Sequence, residues 1–70
     1  MWWNVTIEHR RTDPGGEEIQ GRQLFVVEAP LARDARTEAL IEAQSIGATR
    51  ARRGARIQAD SVRVEPRACT

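Results

Sequence analysis

Apolar and polar residues alternate at the start of the chain. Trp3, Val5 and Ile7 share one parity, and Asn4, Thr6 and Glu8 share the other. A period of two predicts a strand with one face in a core. Trp2 then falls on the opposite face with Thr6. A second alternating run extends from Ile19 to Ala29. Phe25, Val27 and Ala29 share the parity of Ile19 and are expected to face the core. Leu24 and Val26 point the other way, so the C-terminal half of this strand is apolar on both faces. Between the two runs, Arg11 to Gly16 reads RTDPGG, a turn signal in which Asp13 initiates, Pro14 presets φ and the glycines permit positive φ.

From Leu31 the period changes. Ala32, Ala35, Ala39, Ala43 and Ile46 recur every three or four residues, which places them on one face of a helix from Leu31 to Ile46, with Leu40 at its flank. A stripe built mainly of alanine lets a helix lie close on its support, and a single amphipathic helix needs such a support to stay folded. Pro30 stops the second strand and suits a helix start. No Ser, Thr, Asp or Asn caps that start, although Asp34 complements the helix dipole there. Gly47 follows Ile46 and reads as the left-handed residue that ends the helix. Ile41 lies opposite the alanine stripe and is expected to be exposed.

A third strand spans Ile57 to Glu65. Ile57 and Ala59 share one parity and Val62 and Val64 the other; a bulge near Asp60–Ser61 reconciles them, and without one the Val pair adds to the exposed face. Pro66 ends pairing, and Arg67 to Thr70 forms a tail. The fold expected is α+β: a single two-layer ββαβ domain over residues 1–66, with a three-stranded, mainly antiparallel sheet covered on one face by one helix. After a hairpin and one helical return, the third strand pairs beside the first, giving order 2-1-3. Order 1-2-3 would make the last pair parallel, which is less usual in so small a sheet.

Composition narrows the picture. Seventy residues make one domain near the lower size limit for a single apolar core. The net charge of +1 gives no overall attraction to nucleic acid or anionic lipid, so any electrostatic role lies in the arrangement of charges. All eleven basic residues are Arg, a composition that a GC-rich genome produces and that also suits bidentate or stacking contacts. They concentrate in Ala48–Arg56, where Arg50, Arg52, Arg53 and Arg56 have no acid between Glu42 and Asp60. Such a segment is either a solvated connector that neutralises the helix end or a phosphate-binding loop. Asp13, Glu17 and Glu18 form an acidic counterpart at the hairpin tip. Cys69 is the only cysteine, which rules out an intrachain disulfide and fits a reducing, cytoplasmic setting. No apolar run is long enough to span a membrane, and the first residues lack the pattern of a signal peptide.

Little in the chain points to catalysis. His9 stands alone as a rim or turn residue, with no second His, Cys or carboxylate at ligand spacing, so no metal or other cofactor is expected. Nucleotide-binding, zinc-protease and redox signatures are absent, and Glu17 and Glu18 are poorly placed to act as an acid–base pair. A domain of this size also lacks room for a typical substrate cleft.

The succession W-x-V-x-I, a Pro-Gly turn, F-x-V-x-A, an Ala-rich helix and I-x-A…V-x-V, from Trp3 to Val64, resembles short proteins of phages and mobile elements. It looks like the ββα core of some type I anti-CRISPR proteins, small non-enzymatic inhibitors that bind a CRISPR surveillance complex. As a pattern it is also similar to the archaeal ribosomal protein LX, whose ββαβ domain sits on ribosomal RNA. Absence of Lys and the uncapped helix start depart from typical LX chains. The resemblance rests on alternation and turn chemistry and carries over no functional residue.

Two functions are expected from these readings. The first is a non-enzymatic protein-binding module that occupies a surface of a larger assembly, in its most specific form an anti-CRISPR-like inhibitor of a nucleoprotein effector. Its partner-binding residues are Arg50, Arg52, Arg53, Arg56, Trp2, Leu24 and Val26. The alternative is a small protein that binds the RNA or DNA backbone through the Arg-rich loop. Open sheet edges also invite pairing with a second copy.

Overall fold

The computed structural model describes residues 1–68. Its elements are β1 (Trp2–Thr12), β2 (Glu18–Glu28), α1 (Ala32–Ala43), α2 (Ile46–Ala51) and β3 (Arg56–Pro66). The strands form one antiparallel sheet of order β2-β1-β3. This is the expected α+β layering with the first strand central, extended by a second, short helix.

β1 and β2 pair residue for residue from Trp2↔Glu28 to Thr12↔Glu18. The hairpin closes through Asp13, whose carbonyl accepts the Gly16 N–H at 3.0 Å and whose Oδ1 accepts the Glu17 N–H at 2.9 Å. Gly16 has φ 86°, so glycine is required at that point of the turn. β1 runs on through His9 to Thr12, so His9 is a strand residue. Its ring lies over Gly21, its partner across the ladder: a Cβ at Gly21 would meet His9 Nε2 at 2.9 Å and Cε1 closer still.

The β1–β3 ladder shifts register between Ile7 and His9, which pair with Val62 and Ile57. β3 therefore carries extra residues at Gln58–Ser61, where the parity change demanded a bulge. As a result Ile57, Val62 and Val64 all pack against the core, and Ala59 is displaced to the surface. The Ala59 carbonyl freed by the bulge accepts a hydrogen bond from Arg36 Nη2 at 2.6 Å, tying α1 to β3. Pairing continues to Pro66 opposite Trp3, and the Arg67 N–H donates to the Trp2 carbonyl.

The core joins Val5, Ile7, Phe25, Val27 and Ala29 of the sheet to Ala35, Ala39 and Ala43 of α1, with Trp3 and Leu40 packed at its margin. Trp3 Nε1 also donates to the Ala29 carbonyl at 3.0 Å, fixing the exit of β2 into the helix. α1 is twelve residues long, about 18 Å at the helical rise, whereas eleven-residue strands reach about 36 Å. The helix thus covers only one end of the sheet, and the molecule extends 42 Å along its long axis. Ile19 shares the core parity but lies beyond the helix and is exposed.

The helical segment differs from the expected one. α1 ends at Ala43, and Ile46 opens α2 at 73 % exposure instead of extending the alanine stripe. Ala32, in the first turn, is exposed as well. Ser45 explains the break: its hydroxyl accepts the Ala48 N–H at 3.1 Å and caps α2. Gly47 is accordingly a helical residue of α2 and not the left-handed terminator of α1.

Candidate functional site

The helix-free face of the sheet carries the even-numbered residues of β1 and β2. The register places Leu24 beside Thr6, Val26 beside Asn4 and Glu28 beside Trp2. Trp2, Leu24 and Val26 are 46 %, 61 % and 37 % exposed, and no element covers them. Arg63 and Glu65 of β3 flank this patch opposite Thr6 and Asn4. Trp2, Leu24 and Val26 thus come together as one surface, as their parity implied.

Further along the same face the character changes. Arg10 pairs directly with Arg56 across the β1–β3 ladder, and Arg22 lies opposite Glu8. Like charges placed opposite each other weaken a ladder. Glu18 partly offsets this through an exposed ion pair with Arg10 at 3.2 Å, a contact worth little in water. The rows of Leu24 and Arg56 are four β1 residues apart, about 13 Å at the strand rise. One face therefore holds an apolar end and a cationic end. The pairing of Arg10 with Arg56 was not legible in the sequence, because it depends on the β3 register beyond the bulge.

The Arg-rich segment divides into two roles. Arg52 is half-buried and acts as a clasp. Its Nε donates to the Ala55 carbonyl at 2.6 Å, and its Nη1 donates to the Ala43 carbonyl and to Gln23 Oε1 at 3.2 Å. Gln23 Nε2 in turn donates to the Ala48 carbonyl at 2.9 Å. This network joins the end of α1, α2 and β2. Arg52 is thus withdrawn from the expected set of free partner-binding side chains.

Arg50, Arg53 and Arg56 remain exposed, and none is in an ion pair among the described residues. Arg53 occupies the C′ position of α2. Its N–H donates to the Arg50 carbonyl at 3.0 Å, the Gly54 N–H donates to the Thr49 carbonyl at 2.9 Å, and its φ is 55°. This is a Schellman ending with arginine where glycine is the usual residue. A β-carbon in this conformation costs roughly 1–2 kcal/mol.

Comparison with protein-family models, curated proteins and solved structures gave no match to this chain. Among the described residues no group of three His, Cys, Asp or Glu side chains is placed to hold a metal ion. Among the described residues no helix is long and apolar enough to cross a membrane. Cys69 lies outside the described residues.

Proposed function

We propose that this chain is a non-catalytic protein-binding module that occupies a surface of a larger assembly. The observation that carries this reading is the contiguous exposure of Trp2, Leu24 and Val26 on a sheet face that no helix covers. Exposed apolar patches of this kind, rimmed by charge, favour protein contact. Arg10, Arg22 and Arg56 on the same face add charge complementarity toward an acidic neighbour, which orients docking and raises the association rate. The most specific target class of this proposal is a cytoplasmic nucleoprotein effector of the kind bound by anti-CRISPR inhibitors, whose nucleic-acid phosphate path the arginines would compete for.

The test is a pull-down from the native host. A stoichiometric protein partner is expected, lost with Leu24→Asp and weakened by Arg53→Glu/Arg56→Glu. Each of these positions is exposed, so the variants stay folded, and Arg56→Glu, which sets an acid opposite Arg10, should not lower the melting temperature. Recovery that is indifferent to all of these changes overturns the reading.

The facing pair Arg10 and Arg56 favours one second reading, attachment to a nucleic-acid backbone. With Arg52 engaged in the fold, Arg50, Arg53 and Arg56 are the free contributors of the loop. Three phosphate contacts on duplex DNA give a slope of log K against log salt of about −2.7, and recruitment of Arg10 steepens it to about −3.6. Phe25 is buried and Trp3 is half-buried, which leaves Trp2 alone to stack on a base, so little sequence preference is expected. A gel shift at low salt with no retention of RNA or DNA removes this second reading.

A further inference from the structure

The two edges of the sheet are built differently. β3 carries the bulge at Gln58–Ser61, an acidic residue within it at Asp60, and Pro66 at its end. Bulges, charges and prolines are the devices that blunt an edge against pairing. β2 has neither a bulge nor a proline: it pairs one for one with β1 along its whole length, and its single interior charge, Arg22, has an anionic counterpart at Glu28 near the end of the same strand. The Ala29 N–H donates to the Met1 carbonyl at 3.0 Å. In an antiparallel ladder this assigns the N–H and C=O groups of odd-numbered β2 residues to β1. Those of Gln20, Arg22, Leu24, Val26 and Glu28 consequently project from the open edge.

We infer that β2 is the seam of a two-fold homodimer in which Leu24 pairs with Val26 of a second copy and Arg22 with Glu28, the dyad passing at Phe25. Directly opposed residues share a face, so only registers that match even with even positions keep the apolar patches of both copies on one side. Among registers that engage Leu24, the others juxtapose mismatched groups. Centring on Leu24 sets Arg22 against Val26 and Gln20 against Glu28. Centring on Gln23 opposes Glu18 to Glu28 and Leu24 to Arg22. Centring on Val26 sets Leu24 against Glu28. The Phe25 dyad alone unites apolar with apolar and cation with anion, twice each by symmetry.

Joined in this way, the two sheets become one six-stranded sheet. Its helix-free face has the Leu24 and Val26 side chains of both copies side by side at the centre. The blunted β3 edges lie at the outside, so the assembly closes as a dimer and does not grow into a filament. The seam does not depend on the proposed outside partner, because its contacts lie within the pair.

The test uses the purified chain alone, so its outcome is separate from that of the pull-down. Sedimentation equilibrium from low-micromolar to millimolar concentration should give twice the monomer mass of 7.9 kDa. Leu24→Pro removes one edge N–H without removing a bond to β1, and it should give a folded monomer. Arg22→Glu should raise the dimer dissociation constant roughly tenfold or more, since two symmetric cross-strand pairs turn from attractive to repulsive. Arg22→Glu/Glu28→Arg should restore association. In the monomer that double variant still sets Glu against Glu8, so its recovery reports on the seam and not on fold stability. A chain that stays monomeric throughout, or a folded Leu24→Pro variant that still dimerises, overturns the inference. Failure of the double reversal to rescue overturns the register.

Discussion

Ala39→Asp is expected to abolish the cooperative thermal transition of this chain. Ala39 is completely buried between Ala35 and Ala43 on the helix face that rests on Val5 and Ile7. Alanine at these three positions lets the helix backbone lie against the sheet without an intervening layer of side chains. Aspartate there must either push the helix off the sheet or bury a carboxylate for which the core offers no donor. Among the described residues no polar or charged residue is buried in this core. Burying an unpaired charge is one of the few mechanisms by which a single substitution costs about 4 kcal/mol or more. A single core in a chain of this length supplies roughly 3–5 kcal/mol in total. Unfolding, not weakening, is therefore the expected result. Circular dichroism checks it: a melt unchanged from that of the parent chain defeats the core assignment.

The second large effect is expected at Arg52, and it contrasts with its neighbour. Arg52→Ala leaves the Ala43 and Ala55 carbonyls and Gln23 Oε1 without their guanidinium donor. Hydrogen bonds from a charged donor contribute roughly 1.5–3 kcal/mol each in favourable settings. The site is only partly buried, and water replaces some of what is lost. A destabilisation of about 2–3 kcal/mol is expected, a large share of the whole. Arg53→Gly should act in the opposite sense and raise stability by roughly 1 kcal/mol, because the left-handed C′ position carries no Cβ penalty in glycine. Urea denaturation of the two variants checks both signs. Equal losses in both would mean that the two arginines are interchangeable connector residues and that the clasp is not formed. A stability gain in Arg53→Gly joined to weaker partner binding would show that this arginine is kept for contact at the expense of the fold.

Alternation and turn chemistry determined much of this protein. The parity of Trp3, Val5 and Ile7, of Phe25, Val27 and Ala29, and of Trp2, Leu24 and Val26 is a local property of extended backbone, and each set lies on its expected face. The turn at Asp13–Gly16 needs only its own residues. The bulge in β3 was legible because Ile57 and the Val62–Val64 pair, of opposite parity, cannot share a core without inserted residues, although the bulge sends Ala59 to the surface instead of bringing it in with Ile57. A central first strand follows from the short hairpin and the single return over one face.

Other features required the tertiary structure. The helical period runs through Gln44 and Ser45 without interruption, so periodicity alone could not end α1 at Ala43. Ser45 was the available signal, and a serine is a cap only where the backbone already turns. The exposure of Ile19 depends on the unequal lengths of helix and strands. Arg52 differs from Arg50, Arg53 and Arg56 in nothing that a sequence displays. It becomes a clasp because Ala43, Ala55 and Gln23, from three different segments, converge on one guanidinium. The facing of Arg10 and Arg56 has the same origin. Local pattern decides which face a residue occupies, whereas the partners of a long polar side chain depend on how distant segments are brought together.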